Sequence, residues 1–149
     1  GDDVAWCMDS CHGRMAVCCE IKGSKAVSEG DWRTAETHYT KMLAEADLLP
    51  DGWELPDGDE SLGTAGLTKA SIRADALTML GYATEVFSNN EKAKLLFAEA
   101  LGLAVGMQDE KRESDVRNGL GTLLSKMGDA EAAEDHLSRA LALGKKLGH

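Results

Sequence analysis

One turn motif occurs three times along the chain, each time between two stretches of helical sequence. It reads Gly-Asp at 30–31, Ser-Asn at 88–89 and Gly-Asp at 128–129, and an alanine follows four residues after each Asp or Asn. A glycine also lies seven residues before each turn, at Gly23, Gly81 and Gly121. Recurrence of one supersecondary unit is typical of repeat proteins, whose units bury their apolar faces on one another. The sequence therefore predicts a stack of helical hairpins.

The apolar residues around each turn have the spacing of amphipathic helices. Residues 115–126 are apolar at steps of three and four, and Asp129 is placed to cap the next helix, whose apolar stripe runs to Leu147. Small residues at Gly121, Ala133 and Ala140 would let the two backbones approach closely. The middle unit repeats this pattern. The first unit has Met42 where a small residue is expected.

These packing positions resemble those of the tetratricopeptide repeat (TPR) family, which places small residues at repeat positions 8, 20 and 27 and an apolar residue at position 24. Gly121, Ala133, Ala140 and Leu137 fill these places in the third unit. The 40-residue step from Gly81 to Gly121 is similar to the extended repeats of kinesin light chains and of spindle-orientation scaffolds rich in Leu-Gly-Asn. The resemblance covers about residues 16–148. It implies an all-α solenoid of three TPR-like αα-hairpins with an N-terminal helical extension.

We expect a single domain over residues 1–149. Its parts are an N-terminal extension (1–15), repeat 1 (16–49), an inserted loop (50–66), repeat 2 (67–107) and repeat 3 (108–149). The loop has two Pro-Asp-Gly turns and no periodicity. Its Trp53 and Leu55 either pack back on the helices or anchor a partner.

Composition narrows the classes of ligand. A net charge of −10 argues against nucleic acid and favours a protein or peptide with a basic face. No apolar run is long enough to span a bilayer, so we expect a soluble protein that does not span a membrane. There is no motif for catalysis or for a cofactor, and we expect a non-enzyme without a bound metal.

The four cysteines lie near the start of the chain. On a helix, Cys7, Cys11 and Cys18 fall on one side together with Val4 and Met15, so we expect a buried apolar stripe there. A metal- or redox-responsive module built on this cluster is an alternative. Thiols without disulfide partners suit a reducing intracellular compartment, either the cytoplasm or an organelle matrix or stroma.

In such a stack the first helices of successive units line a concave groove. The polar residues of these helices that lie outside the apolar core stripe are candidates to bind a partner there. The alternative is that they are ordinary solvent-exposed surface. They are Glu20, Ser24, Asp75, Thr78, Tyr82, Glu85, Asn118, Thr122, Ser125 and Lys126.

The ends of the chain suggest a second kind of interaction surface. No polar helix follows the last packing helix, which leaves Leu141, Leu143 and Leu147 as possible interface anchors beside Trp53 and Leu55. Either the chain is a fragment with further repeats or a partner covers this end. The function we expect is a scaffold or adaptor, with a permanent accessory subunit of a large assembly, organellar or not, as the alternative.

Overall fold

The structure is a computed structural model that describes residues 2–56, 58, 61 and 64–148, with side chains from residue 8 onward. Within this part the chain forms six α-helices. They are α1 (Asp2–Ser28), α2 (Trp32–Asp47), α3 (Lys69–Val86), α4 (Asn90–Gly106), α5 (Glu110–Lys126) and α6 (Ala130–Lys146).

The helices belong to two compact units, Gly1–Ala76 and Leu77–His149, whose boundary falls inside α3. In the first unit α1 packs against α2, and in the second α5 packs against both α4 and α6. The expected all-α fold built from adjacent helical hairpins is confirmed. Our division of the chain at residues 15, 49, 66 and 107 stays a prediction, although α1 runs without a break through the first of these boundaries.

Capping residues set the starts of the helices. The side chains of Asp31, Asn89, Asp109 and Asp129 each accept a hydrogen bond from the backbone N–H three residues later. Such a cap is worth about 1 kcal/mol. The residue before each cap has a positive φ, which reverses the chain: Gly30 (75°), Ser88 (63°), Gln108 (57°) and Gly128 (89°). The structure thus adds a fourth turn of this kind, at Gln108–Asp109, to the three read from the sequence.

The inserted loop packs back on the helices of the first unit. Leu55 is buried at 7% exposure, and the Leu55 N–H donates to the Leu67 carbonyl at 2.8 Å. The Trp53 ring lies against Gly13 of α1 in the space where a Cβ would otherwise stand. Glu54 and Thr68 form an isolated antiparallel bridge. Leu55 is therefore part of the core, and Trp53 packs against α1.

The recurring glycines lie under large side chains of the following helix. A Cβ added at Gly23 would stand 2.7 Å from the Tyr39 ring, and one added at Gly81 would stand 2.9 Å from the Phe97 ring. At Gly121 it would stand 2.7 Å from Cγ of Leu137. In every case the large residue lies 16 positions after its glycine. The hairpins therefore close by seating one bulky side chain on a bare stretch of backbone.

The prediction of a buried stripe through the cysteines of α1 was wrong. Cys11 and Cys18 are exposed and Met15 is 41% exposed, while Cys19 is buried. The buried side of α1 consists of small residues because α2 and Trp53 approach its backbone closely: Ser10, Gly13, Ala16, Cys19, Gly23 and Ala26. The side chains of Val4 and Cys7 lie outside the described part.

We predict opposite effects of alanine at two helical glycines. Gly121→Ala should lower the free energy of unfolding by about 1–3 kcal/mol, because its methyl group would overlap Leu137. Gly102→Ala should raise it by about 0.5–1 kcal/mol, because nothing lies within 4 Å of that Cβ and alanine favours helix. Urea unfolding checks both variants. Equal stability of the two would contradict the seating of Leu137 on Gly121.

Candidate protein-interaction surfaces

In the first unit, three of the predicted groove residues act on the hydroxyl of Tyr39. The Ser24 hydroxyl lies 3.2 Å from that of Tyr39, and either can donate. Burial raises the pKa of Tyr39, and the nearby carboxylates of Glu20 and Asp75 raise it further. The phenol therefore stays protonated at neutral pH. We call Glu20, Ser24, Tyr39 and Asp75 the Tyr39 cluster.

In the second unit, Tyr82 of α3 occupies the repeat position that Ser24 has in the first, directly after the glycine. Its ring meets that of Phe97 edge to face at a centroid distance of 5.0 Å. Its hydroxyl lies over Gly119 of α5, where a Cβ would approach within 2.7 Å. The glycine therefore lets the phenol lie across α5.

The charges of two carboxylates act on this phenol. Burial raises the pKa of Tyr82, and the charges of Asp115 and Glu85 raise it further. Lys126 donates to Oε1 of Glu85 at 3.4 Å, with side-chain exposures of 55% and 16%. Because the Lys126 ammonium is in water and the contact is long, this pair contributes little to stability. The Glu85 carboxylate is therefore held by a partner that another cation could replace.

Exposed polar residues of α5 extend this surface. Asn118, Thr122 and Ser125 follow one another at steps of four and three and are all exposed, and the Thr122 hydroxyl donates to the Asn118 carbonyl at 2.8 Å. Thr78 is half-buried one turn before Tyr82. We call this set the Tyr82 surface: Thr78, Tyr82, Glu85, Asp115, Asn118, Thr122, Ser125 and Lys126.

A cleft of about 540 Å³ lies elsewhere in the second unit, between α4, α5 and α6. Arg117 and His136 stand at its edge. Arg117 Nε donates to Glu113 at 2.8 Å, and Nη1 donates to His136 Nδ1 at 3.0 Å. Since a guanidinium cannot accept, Nδ1 is the unprotonated nitrogen. Burial lowers the pKa of His136, and the charge of Arg117 lowers it further.

The predicted anchors divide into buried and exposed residues. Leu55 belongs to the core and Trp53 is half-buried against Gly13, so neither is a free apolar side chain on the surface. Leu141 and Leu147 are 61% and 40% exposed, and Leu143 is half-buried.

Two residues of these surfaces were missed in the sequence. Asp115 lies 40 positions after Asp75, which is the Gly81-to-Gly121 period, so the repeat itself could have identified it. Tyr39 was read only as a packing residue because it occupies an apolar repeat position. Its hydroxyl was the overlooked signal. The Arg117–His136 pair joins separate helices and leaves no pattern in the sequence.

The described part of the chain lacks two further kinds of feature. Among the side chains that the structure describes, no group of three His, Cys, Asp or Glu is placed to hold a metal ion. No helix of the described part is long and apolar enough to cross a membrane.

Comparison with known proteins supports the fold. The crystal structure of BtubC (BKLC) from P. vanneervenii is similar, with a TM-score of 0.67 and 18% sequence identity. The match covers 91% of this chain and 48% of that protein, so the chain spans about half the length of its structural relative. No family model and no curated protein matches the sequence. The similarity and the paired helices together indicate a TPR-like helical-repeat fold.

The pairing of Arg117 with His136 predicts a pH dependence of stability. His136 is neutral in the folded chain with a lowered pKa, whereas the unfolded chain regains the ordinary value of 6.5. As the pH falls through that value the unfolded state binds the proton first, so the free energy of unfolding should decrease. Urea unfolding between pH 8 and pH 5 measures this slope.

His136→Gln is the matched variant, because its side-chain oxygen can still accept from Arg117 but does not titrate. Its unfolding free energy should vary less with pH than that of the wild type. Parallel curves would assign the dependence to groups other than His136.

Proposed function

We propose that the chain is a non-catalytic scaffold or adaptor that binds a basic segment of a peptide or protein on the Tyr82 surface. The observation that carries this proposal is the half-buried Tyr82, whose hydroxyl lies over Gly119 of α5 and feels the charges of Asp115 and Glu85, beside a row of exposed polar residues on α5. A TPR-like fold is a common platform for protein partners. The net charge of −10 favours the approach of a basic ligand.

Each part of the surface suits a different part of such a ligand. A lysine or arginine side chain can pair with Glu85 in place of Lys126, and a guanidinium can do so through two hydrogen bonds. The Tyr82 ring offers a face for a cation, and the Asn118 amide can both donate to and accept from a peptide backbone. The Tyr39 cluster supplies a second acidic site of this kind in the first unit.

A permanent accessory subunit of a larger assembly is the second candidate, favoured by the exposed leucines of α6. Leu141 and Leu147 would be covered by a stable neighbour, whereas an adaptor with exchangeable ligands leaves them in water. Free thiols at Cys11 and Cys18 suit a reducing intracellular compartment in either case.

Selection of peptides from a random library tests the proposed ligand class. Peptides enriched on the immobilised chain should be rich in Lys and Arg, and their affinity should fall with added salt. Glu85→Gln together with Asp115→Asn should weaken binding about tenfold, since two charge-assisted contacts are lost. Fluorescence anisotropy with a labelled selected peptide measures this change.

The control carries the same two changes on α6, where Glu134 and Asp135 are exposed. Glu134→Gln with Asp135→Asn should leave the affinity within about twofold, because only the long-range field changes. Enriched peptides without basic residues, or equal losses in both double variants, would reject the Tyr82 surface as the binding site.

The two candidates also predict different native masses. An adaptor should be recovered as a monomer with exchangeable partners, and an accessory subunit only with neighbours at fixed stoichiometry. Light scattering coupled to mass spectrometry distinguishes them. For the subunit, Leu141→Ser should release those neighbours, whereas Ala142→Ser on the same exposed stretch should retain them.

A further inference from the structure

The outward side of α1 has a charge opposite to that of the whole chain. On one side of the helix, the exposed residues between positions 8 and 25 are apolar or sulfur-containing side chains and cations, and the exposed Ser24 lies outside this side. Three side chains are hydrophobic and largely exposed: Met8 (57%), Met15 (41%) and Ile21 (65%). The others are Cys11, Arg14, Cys18, Lys22 and Lys25. We call these eight residues the α1 face.

The α1 face is free of carboxylates. At 100° per residue its members fall within about 140° of the helix circumference. The two acidic residues in this stretch, Asp9 and Glu20, lie about 160° or more from Cys18 on the same helical wheel. From α2, Lys41 and Glu45 both act on the Cys19 thiol, and Glu45 is held by His12 at 2.6 Å. Lys41 and Glu45 thus place one cation and one carboxylate near Cys19 on the buried side of α1.

The spacing of the apolar and sulfur-containing residues of the α1 face is suited to binding a helix. Met8, Cys11, Met15 and Cys18 follow one another at steps of three, four and three, which is the seam that one helix presents to another. Methionine is flexible and polarisable, so it adapts to a partner side chain better than a branched residue does. The cations that flank this seam would pair with carboxylates on the incoming helix.

The charges of the α1 face argue against two other occupants, a second copy of the chain and an anionic membrane. A second copy that placed the same face on itself would bring Arg14, Lys22 and Lys25 against one another without a carboxylate between them. An anionic membrane would attract this face but repel a chain of net charge −10. The face also lacks the Trp, Phe and Leu residues that interfacial helices insert into lipid.

We propose that the α1 face docks an acidic amphipathic helix of a partner protein. The seam of Met8, Cys11, Met15 and Cys18 takes its apolar side, and Arg14, Lys22 and Lys25 pair with its carboxylates. This site differs in position and in charge from the Tyr82 surface. The chain then has a site for an acidic ligand in its first unit and a site for a basic ligand in its second.

Two synthetic helical peptides test the site. Both carry the same Leu and Met seam, and one has glutamates along its flanks where the other has lysines. The glutamate peptide should bind the full chain, and the lysine peptide at least about tenfold more weakly, because only the sign of the flanking charge differs. Fluorescence anisotropy at two salt concentrations measures both affinities.

Charge reversal on the protein gives the matched control. Lys22→Glu with Lys25→Glu should weaken binding of the glutamate peptide about tenfold. Lys92→Glu with Lys111→Glu makes the same change in net charge at exposed positions of α4 and α5 and should change the affinity less than about twofold. For the apolar seam, Met15→Ser should weaken binding and Leu95→Ser, at an even more exposed position of α4, should not.

The native thiols report where the peptide sits. Alkylation followed by mass spectrometry should label Cys11 and Cys18 quickly in the free chain and slowly in the complex. Cys19 is the internal control, because it is buried and its burial raises its pKa, so it should label slowly in both states.

Several results would overturn the proposal. They are failure of the glutamate peptide to bind, equal binding of both peptides, or binding that leaves Cys11 and Cys18 reactive. Protection of these thiols by phosphatidylserine vesicles without peptide binding would assign the face to a membrane. Self-association that Met15→Ser abolishes would assign it to a second copy. None of these results bears on the Tyr82 surface.

Discussion

The structure depends on one steric arrangement, in which a bulky side chain rests on a glycine of the preceding helix. It occurs as Tyr39 on Gly23, Phe97 on Gly81 and Leu137 on Gly121. The aromatic pair Tyr39 and Phe97 is almost fully buried, and each such burial is worth about 1.5–3 kcal/mol. Because no Cβ separates the two helices, each hairpin closes tightly and fixes which residues next to the glycine remain at the surface.

That last consequence links the core to the proposed interaction surfaces. The residue after the glycine stands beside the seated side chain, so Ser24 meets the Tyr39 hydroxyl and Tyr82 meets the Phe97 ring. Phe97 also lies close to Gly119, which in turn makes room for the Tyr82 hydroxyl. The candidate binding residues are therefore positioned by rigid helices and by core contacts, which is what a preformed recognition surface requires.

The sequence predicted the core better than the surfaces, for a physical reason. Glycine, alanine and capping positions obey local steric rules, so the turns at 30–31, 88–89 and 128–129 could be read directly. The exposed side of α1 could not, because helical periodicity shows that Cys11, Met15 and Cys18 share a face but not whether that face is buried. Here Gly13, Ala16 and Gly23 lie on the buried side, because small residues let the helices pack more closely. Apolar periodicity and burial diverge wherever small residues let the backbones approach.

The exposed stripe of methionine and cysteine on α1 therefore has a role outside the core in our proposal. Methionine and cysteine lie at heptad-like steps on the exposed side of α1, whose inner side is covered by Tyr39 and Trp53. The net charge of −10 does not account for the cations that lie among them. The acidic Tyr82 surface does not account for them either, since it belongs to the other unit. The apolar groups favour contact with another helix, and the cations favour a helix that carries carboxylates. Restriction by charge sign is how a small surface gains specificity without much buried area.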